Sequence, residues 1–159
     1  MIIWNYGSMV KKYSIVLWSK SIGYGSCEHN IYFCKMEDKV LLQRISDAAY
    51  EVRQHLMPGY LEAVYEEALM VELRLRGLRA ENQRPMTVFY KGVPVGNYVA
   101  DIIVEDKIIL ELKAVREVSK IHGAQLVNYL VATGLNIGVL INYGENYAFR
   151  IKERIYSRQ

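Results

Sequence analysis

Residues 101–113 read DIIVEDKIILELK, two short apolar runs separated by the charged triplet Glu105-Asp106-Lys107. Apolar runs of this length around a charged turn predict a β-hairpin. Successive side chains of a strand point to opposite faces, so Glu111 and Lys113 share one face with Ile109. The hairpin therefore predicts a charged patch on one face of a strand pair whose other face is apolar.

The length of the turn decides whether a second acid joins this patch. A three-residue turn pairs Val104 with Ile108, and hence Asp101 with Glu111, whereas a two-residue turn puts the two acids on opposite faces. With the longer turn, two carboxylates and the Lys113 ammonium converge. Buried charges need partners or a metal. A cross-strand ion pair on a solvated face is the alternative explanation.

Composition indicates one ordinary globular domain. The chain has 159 residues, of which 52% are hydrophobic and 23% charged, with a formal net charge of +3. Such a chain can bury a core, and any affinity for nucleic acid must come from local clustering of its charges. The cysteines, Cys27 and Cys34, argue against a disulfide framework and suit a reducing compartment. With His29 between them they lack a fourth ligand for zinc.

We expect residues 1–38 to be a peripheral segment and residues 39–159 to form the domain. The first segment mixes Trp, Tyr, Gly and Ser without periodicity. It imitates a signal peptide only faintly, because no small-residue cleavage site follows and no 18-residue apolar span occurs. Met36 opens a stretch that reads as the beginning of a helix. A leader outside the native product is therefore an alternative for the preceding residues.

Two helices are predicted before the hairpin. Helical spacing of apolar residues covers Lys39–Leu56, Pro58-Gly59 breaks the pattern, and a second helix covers about Tyr60–Arg76, ended by Gly77. The predicted apolar stripe of the second helix consists of Leu61, Val64, Tyr65, Ala68, Val71 and Leu75. Glu62 at its edge has an ordinary explanation as an acid near a helix N-terminus. Glu72 has one as the i to i+4 partner of Arg76.

The remaining elements are predicted from alternation and caps. A Lys91-Gly92 turn joins a strand at Thr87–Tyr90 to one at Val93–Val104. Ser119 is a candidate N-cap for a helix that runs to about Thr133 and ends at Gly134. The strand Leu135–Tyr143 returns parallel to the Glu111 strand, and a final strand, Tyr147–Tyr156, has a basic face. Arg74, Arg76, Arg79 and Arg84 form a second basic group, and solvated faces explain both groups as simply as contact with phosphates does.

Three motifs resemble those of a known family. Residues 59–65, GYLEAVY, match the G-x-x-E-x-x-Y signature of the prokaryotic GxxExxY proteins, which belong to the PD-(D/E)XK nuclease superfamily. Asp101 followed by Glu111-Leu112-Lys113 resembles the D…(D/E)-x-K core of that superfamily, with Ala100 in place of the proline. Residues 125–129, QLVNY, resemble the Q-x-x-x-Y element of its exonuclease-like branch. The resemblance implies an α/β, restriction-endonuclease-like αβββαβ core with a mixed central sheet flanked by helices.

The resemblance also implies a chemistry. Carboxylate oxygens suit Mg²⁺ or Mn²⁺, so the expected function is a Mg²⁺-dependent nuclease acting on DNA in the prokaryotic cytoplasm. The expected catalytic residues are Asp101, Glu111, Lys113, Glu62 and Gln125, with Asp101, Glu111 and Glu62 as metal ligands and Tyr129, Tyr65 and His122 in support. A catalytically silent module that binds nucleic acid or a protein partner is the alternative, and hydrolysis of another phosphoester is a weaker one. The sequence leaves a homodimer open.

Overall fold

The computed structural model describes residues 36–144 and the backbone of residues 150–155. Helices and strands follow one another in the order expected from the sequence. The helices are α1 (Met36–His55), α2 (Glu62–Leu75) and α3 (Lys120–Thr133). The strands are β1 (Ala80–Tyr90), β2 (Val93–Val104), β3 (Ile108–Lys113), β4 (Ile137–Asn142) and β5 (Arg150–Ile155). No helix of the described part is long and apolar enough to cross a membrane.

The strands form one mixed sheet in the order β1-β2-β3-β4-β5. Strands β3 and β4 are parallel, and the other neighbours are antiparallel. The connection between the parallel strands contains α3, as the long link between two parallel strands requires. The prediction of a restriction-endonuclease-like α/β fold with a mixed central sheet is confirmed.

The β2–β3 hairpin has the longer of the two possible turns. Val104 pairs with Ile108, and Ile102 with Leu110, across the turn residues 105–107. Glu105 and Asp106 have φ angles of 52° and 51°, in the left-handed region that tight turns use. Continuing this register places Asp101 opposite Glu111, so both acids belong to the same end of the hairpin.

Apolar side chains cover both faces of the sheet. On one face Ile102, Leu110 and Leu112 join a cluster with α1 and α2. On the other face Ile109 and Ile103 pack with residues of α3. Parallel strands enclosed in this way are apolar at nearly every position, which explains why charged residues on β3 become buried.

The face that α2 turns to the core differs from the predicted stripe. Its buried residues are Tyr65, Glu66, Leu69, Met70 and Leu73. Of the predicted stripe only Tyr65 is fully buried, while Leu61 and Leu75 are 78% and 75% exposed. The prediction was wrong because α2 carries apolar residues on two sides, and periodicity cannot tell which side meets the sheet.

Some elements begin earlier than the apolar pattern predicted, as strand β1 does because backbone pairing with its neighbour sets its first residue. Strand β1 begins at Ala80, seven residues before the predicted Thr87, because its polar first half pairs with β2. Helix α1 begins at Met36, so the last residues of the segment predicted to be peripheral are helical. Residues 1–35, with the cysteines, and the side chains of β5, with the predicted basic face, lie outside the described residues.

Candidate active site

The end of β3 brings a buried acid and a partly buried base together. Glu111 is fully buried, with an exposed fraction of 0%, and the Lys113 side chain is 12% exposed. Their Oε1 and Nζ atoms are 2.7 Å apart. Both side chains point to the same sheet face as Ile109, which packs against α3. The alternation predicted from the sequence therefore delivers both groups to the α3 side.

Asp101 is held against β3 by the backbone. Its Oδ2 accepts a hydrogen bond of 2.6 Å from the Leu112 N–H. Burial raises the pKa of Asp101, and the Glu62 charge adds to this rise, while the Leu112 hydrogen bond and Lys113 oppose it. The carboxylate is thus oriented by the strand that carries Glu111 and Lys113.

The carboxylates of Asp101 and Glu111 interact with each other and with the same ammonium, that of Lys113. The pKa of Glu111 is raised to about 7: burial is the largest cause, the Asp101 carboxylate adds to it, and the ion pair with Lys113 opposes both. Burial lowers the pKa of Lys113, but the contact with Glu111 and the neighbouring carboxylates outweigh burial, so this pKa lies above its ordinary value. The cluster therefore holds a charged lysine beside acids that resist ionisation together.

Glu62 approaches the cluster from α2. It is the first residue of that helix, and its Oε1 lies 3.5 Å from Lys113 Nζ. Tyr65 fixes the preceding loop, since its hydroxyl donates to the Met57 carbonyl at 2.7 Å and accepts from the Tyr60 N–H at 3.3 Å. The Tyr65 ring also stacks on Tyr143, with centroids 4.6 Å apart. Tyr65 thereby positions the start of α2, from which Glu62 reaches the cluster.

A second tie joins α2 to the strand of Asp101. The β1–β2 pairing runs from Asn82 with Ile102 to Arg84 with Ala100 and skips the residues between, Gln83 and Asp101. Gln83 has a φ of 51°, a region that non-glycine residues seldom adopt. Its Nε2 lies 2.9 and 2.8 Å from the carboxylate oxygens of the buried Glu66. The irregular point beside Asp101 is therefore anchored to the helix that carries Glu62.

Helix α3 contributes Gln125 and Tyr129. Gln125 Nε2 donates a 2.6 Å hydrogen bond to the Tyr129 hydroxyl. Burial raises the pKa of Tyr129, and the Glu111 and Asp101 carboxylates raise it further, so this hydroxyl lies within the field of the cluster. His122 has a different place, because its Nδ1 accepts the Ser119 N–H at 3.3 Å at the start of α3.

Asn142 was missed by the sequence analysis. It is buried at the end of β4 and binds the loop after Lys113 through two hydrogen bonds. Its side chain accepts one from the Val115 N–H at 3.1 Å and donates one to the Val115 carbonyl at 2.8 Å. The Tyr143 N–H donates to the Lys113 carbonyl at 2.7 Å. These contacts fix the backbone on which Lys113 stands. The only local signal was an amide at the end of an apolar strand.

Comparison with known proteins identifies the family. The family model of the PD-(D/E)XK nuclease superfamily matches residues 39–155. The chain belongs to this superfamily. The chain is also similar to the solved structure titled "Crystal structure of SSO0001", with 15% identity and a TM-score of 0.47, covering 80% of this chain and 81% of that chain. No curated protein sequence matches the chain.

The cluster fits the divalent cations that PD-(D/E)XK nucleases typically use. Both carboxylate oxygens of Glu111 are buried and receive no hydrogen bond from the described residues, and Lys113 meets one of them only as an ion pair. Within the described part of the chain, no three or more acidic, histidine or cysteine side chains are arranged around a single ion position. Mg²⁺ keeps several waters and needs only one or two carboxylates, so Asp101 and Glu111 are the pair that fits it.

The arginines that the sequence groups near the end of α2 are mostly paired with acids. Arg79 Nη2 lies 2.7 Å from Asp106, and Arg84 Nη1 lies 2.8 Å from the same carboxylate. Arg76 pairs with Glu72 at 3.5 Å, as the spacing predicted. A cavity of about 420 Å³ between β1 and the end of α3 includes Arg84 in its wall but none of the cluster carboxylates. Neither feature extends the active-site cluster.

Proposed function

We propose that this PD-(D/E)XK protein is a Mg²⁺-dependent nuclease that hydrolyses phosphodiester bonds in DNA, with Mn²⁺ as an alternative cation. The observation that carries the proposal is the fully buried Glu111 beside Asp101: among the described residues, its two oxygens meet only the Lys113 ammonium, 2.7 Å from one of them. A buried carboxylate that meets only one ammonium is costly unless a further cation completes its coordination.

In this proposal Asp101 and Glu111 would hold the cation, and Glu62 would reach it through a water. A Mg²⁺ ion held there would polarise the phosphate and lower the pKa of a water bound to it. The Leu112 N–H keeps one Asp101 oxygen in place and leaves the other for the ion. Glu62, 41% exposed, is the most accessible of these acids, which suits a residue that meets incoming solvent or substrate.

Lys113 would stabilise the charge that develops on the phosphate. Its ammonium stays protonated because its pKa is raised, and its burial places it where electrostatic stabilisation is strong. The Tyr129 hydroxyl, held by Gln125, would contact a phosphate oxygen beside it. His122 would serve the start of α3 rather than the substrate, given its hydrogen bond to the Ser119 backbone.

We further assign the protein to the GxxExxY family within the superfamily. The support is that the two residues of the G-x-x-E-x-x-Y motif have different roles. The Tyr65 hydroxyl holds the loop before α2 through the Met57 carbonyl, and Glu62 extends toward Lys113. A prokaryotic, cytoplasmic enzyme whose domain spans residues 39–159 completes the proposal. The sparse cysteines of the sequence, Cys27 and Cys34, suit that compartment.

A cleavage assay with matched variants tests the proposal. Labelled single- and double-stranded DNA is incubated with the full chain in Mg²⁺, Mn²⁺ or a chelator. Asp101→Asn and Lys113→Ala should each lower the rate by about 100-fold or more, while Lys107→Ala, on the exposed hairpin turn, should match the wild type. Circular dichroism checks that the variants fold. A Lys113→Ala protein that is folded and as active as the wild type would remove the role given to Lys113.

A silent nuclease-fold module that binds nucleic acid or a protein is the second candidate. The pairing of Arg79 and Arg84 with Asp106 favours the protein-binding form of this module, because these cations are less available to phosphates than the sequence suggested. Saturable DNA binding without cleavage in either metal, unchanged by Asp101→Asn, would replace the nuclease with this module.

A further inference from the structure

Helix α2 has an apolar face that points away from the core. Its core face packs through Tyr65, Leu69 and Leu73. A second row of apolar residues, which we call the outer stripe, consists of Leu61, the residue just before the helix, and of Val64, Ala68, Val71 and Leu75 on α2. Ala68 lies at the margin of the core cluster, and the other four are exposed. An ordinary surface helix is polar on its outer face, so α2 has the composition of a helix that is covered on both sides.

The spacing of the outer stripe is that of a coiled-coil seam. Its members are separated by three, four, three and four residues, which is the a/d pattern of a heptad repeat. At 100° per residue they lie within an arc of about 80° on the helix surface. Met57 and Tyr60, both exposed, continue the apolar surface beyond the N-terminal end of the stripe. The surface is therefore suited to another helix of similar length.

The charges beside the outer stripe select the partner. Glu67 and Arg74 are exposed and lie seven residues apart on the same flank. On the opposite flank Glu72 is already paired with Arg76 within the chain, at 3.5 Å. Glu67 makes one long contact of 3.4 Å with Asn82, and the Arg74 guanidinium has no ion pair among the described residues. An exposed acid and an exposed base thus remain for a neighbouring molecule.

We propose that the outer stripe is the interface of a homodimer in which two α2 helices pack antiparallel. With Ala68 of one copy beside Val71 of the other, residues on the same flank meet, and Glu67 of each copy lies next to Arg74 of the other. The two-fold axis makes this contact twice. A parallel pair would instead bring Glu67 beside Glu72 of the other copy, so the charges favour the antiparallel dimer.

Sedimentation velocity of the full chain over a concentration series tests the dimer. The wild type should approach twice the chain's 18.4 kDa. Val71→Glu should raise the dimer Kd by about 100-fold or more, because two carboxylates would be buried at the seam. Val95→Glu is the matched control: Val95 is also exposed, but it lies on β2, so this variant should remain dimeric.

A charge exchange tests the orientation. Glu67→Arg and Arg74→Glu should each raise the dimer Kd by roughly tenfold, since each replaces two attractive contacts with repulsive ones. The double variant should restore the wild-type Kd, because it re-forms both contacts in reverse.

Three results would overturn the proposal. A monomeric wild type would mean that the stripe has another occupant, residues 1–35 or a different protein. A dimer that survives Val71→Glu but is lost in Val95→Glu would place the interface on the β1–β2 ribbon. A double charge variant no tighter than the single ones would exclude the antiparallel arrangement. None of these measurements depends on nuclease activity.

Discussion

Replacing Glu111 by glutamine should remove a pH dependence from the stability of the protein. The pKa of this carboxyl is about 7 in the folded chain, against an ordinary value of 4.5. The folded state therefore holds a proton that the unfolded state releases, so the contribution to stability is complete below about pH 4.5 and is lost as the pH rises through about 7. Integrated between about pH 5 and pH 8, the loss amounts to roughly 2.5 kcal/mol.

Urea unfolding followed by far-ultraviolet circular dichroism measures this directly. The free energy of unfolding of the metal-free wild type should fall toward pH 8 relative to Glu111→Gln, whose amide has nearly the same shape but does not titrate. Glu117→Gln, exposed in the loop before α3, should follow the wild type to within about 0.5 kcal/mol. Saturating Mn²⁺ at about 100 times its Kd should return about 2.7 kcal/mol to the wild type at the higher pH.

Parallel pH profiles for the wild type and Glu111→Gln would refute the reasoning. They would mean that Glu111 titrates alike in the folded and unfolded chains, and hence that it is hydrated rather than buried. A profile that rises with pH in the wild type alone would mean that Lys113 overcomes the cost of burial, so the carboxylate would be stable without a cation.

Three further outcomes follow from the same contacts. Asn142→Ala should lower the unfolding free energy by about 3 kcal/mol, because the hydrogen bonds of its side chain with Val115 and with the N–H of Gly144 are lost. A loss below about 1 kcal/mol in urea titration would mean that Asn142 does not hold this loop in place. Gly144→Ala should cost about 2 kcal/mol or more in calorimetry, since a Cβ there would lie 1.8 Å from the Val115 carbonyl oxygen. By isothermal titration with Mn²⁺, Asp101→Asn should weaken binding at least tenfold and Glu62→Gln by less; the reverse order would make Glu62 the primary ligand.

Much of the architecture was readable from local pattern. Strand β2 was predicted with its observed bounds, and Gly134 caps α3 as predicted, with a φ of 74° that explains why a glycine stands there. The parallel return of β4 and the charged face shared by Glu111 and Lys113 followed from the order of elements and from alternation. These features depend on residues close in sequence, where turn chemistry and periodicity carry the information.

The buried face of α2 and the positions of Asn142 and Gln83 could not be predicted in this way. Both sides of α2 are apolar, so the choice between them depended on how the helix packs against the sheet. Asn142 acts on a loop 27 residues earlier, and Gln83 binds an acid 17 residues earlier. Contacts over such separations leave no mark in the local pattern.

By itself, then, the sequence determined the order of the elements and the set of groups available to the site. Whether Asp101 and Glu111 would meet depended on a turn that could have had either of two lengths. The tertiary structure decided that register, and by covering β3 with α3 it removed Glu111 from water and raised its pKa. The physical reason is that alternation sets the direction of a side chain, whereas its solvation depends on what the rest of the chain places over it.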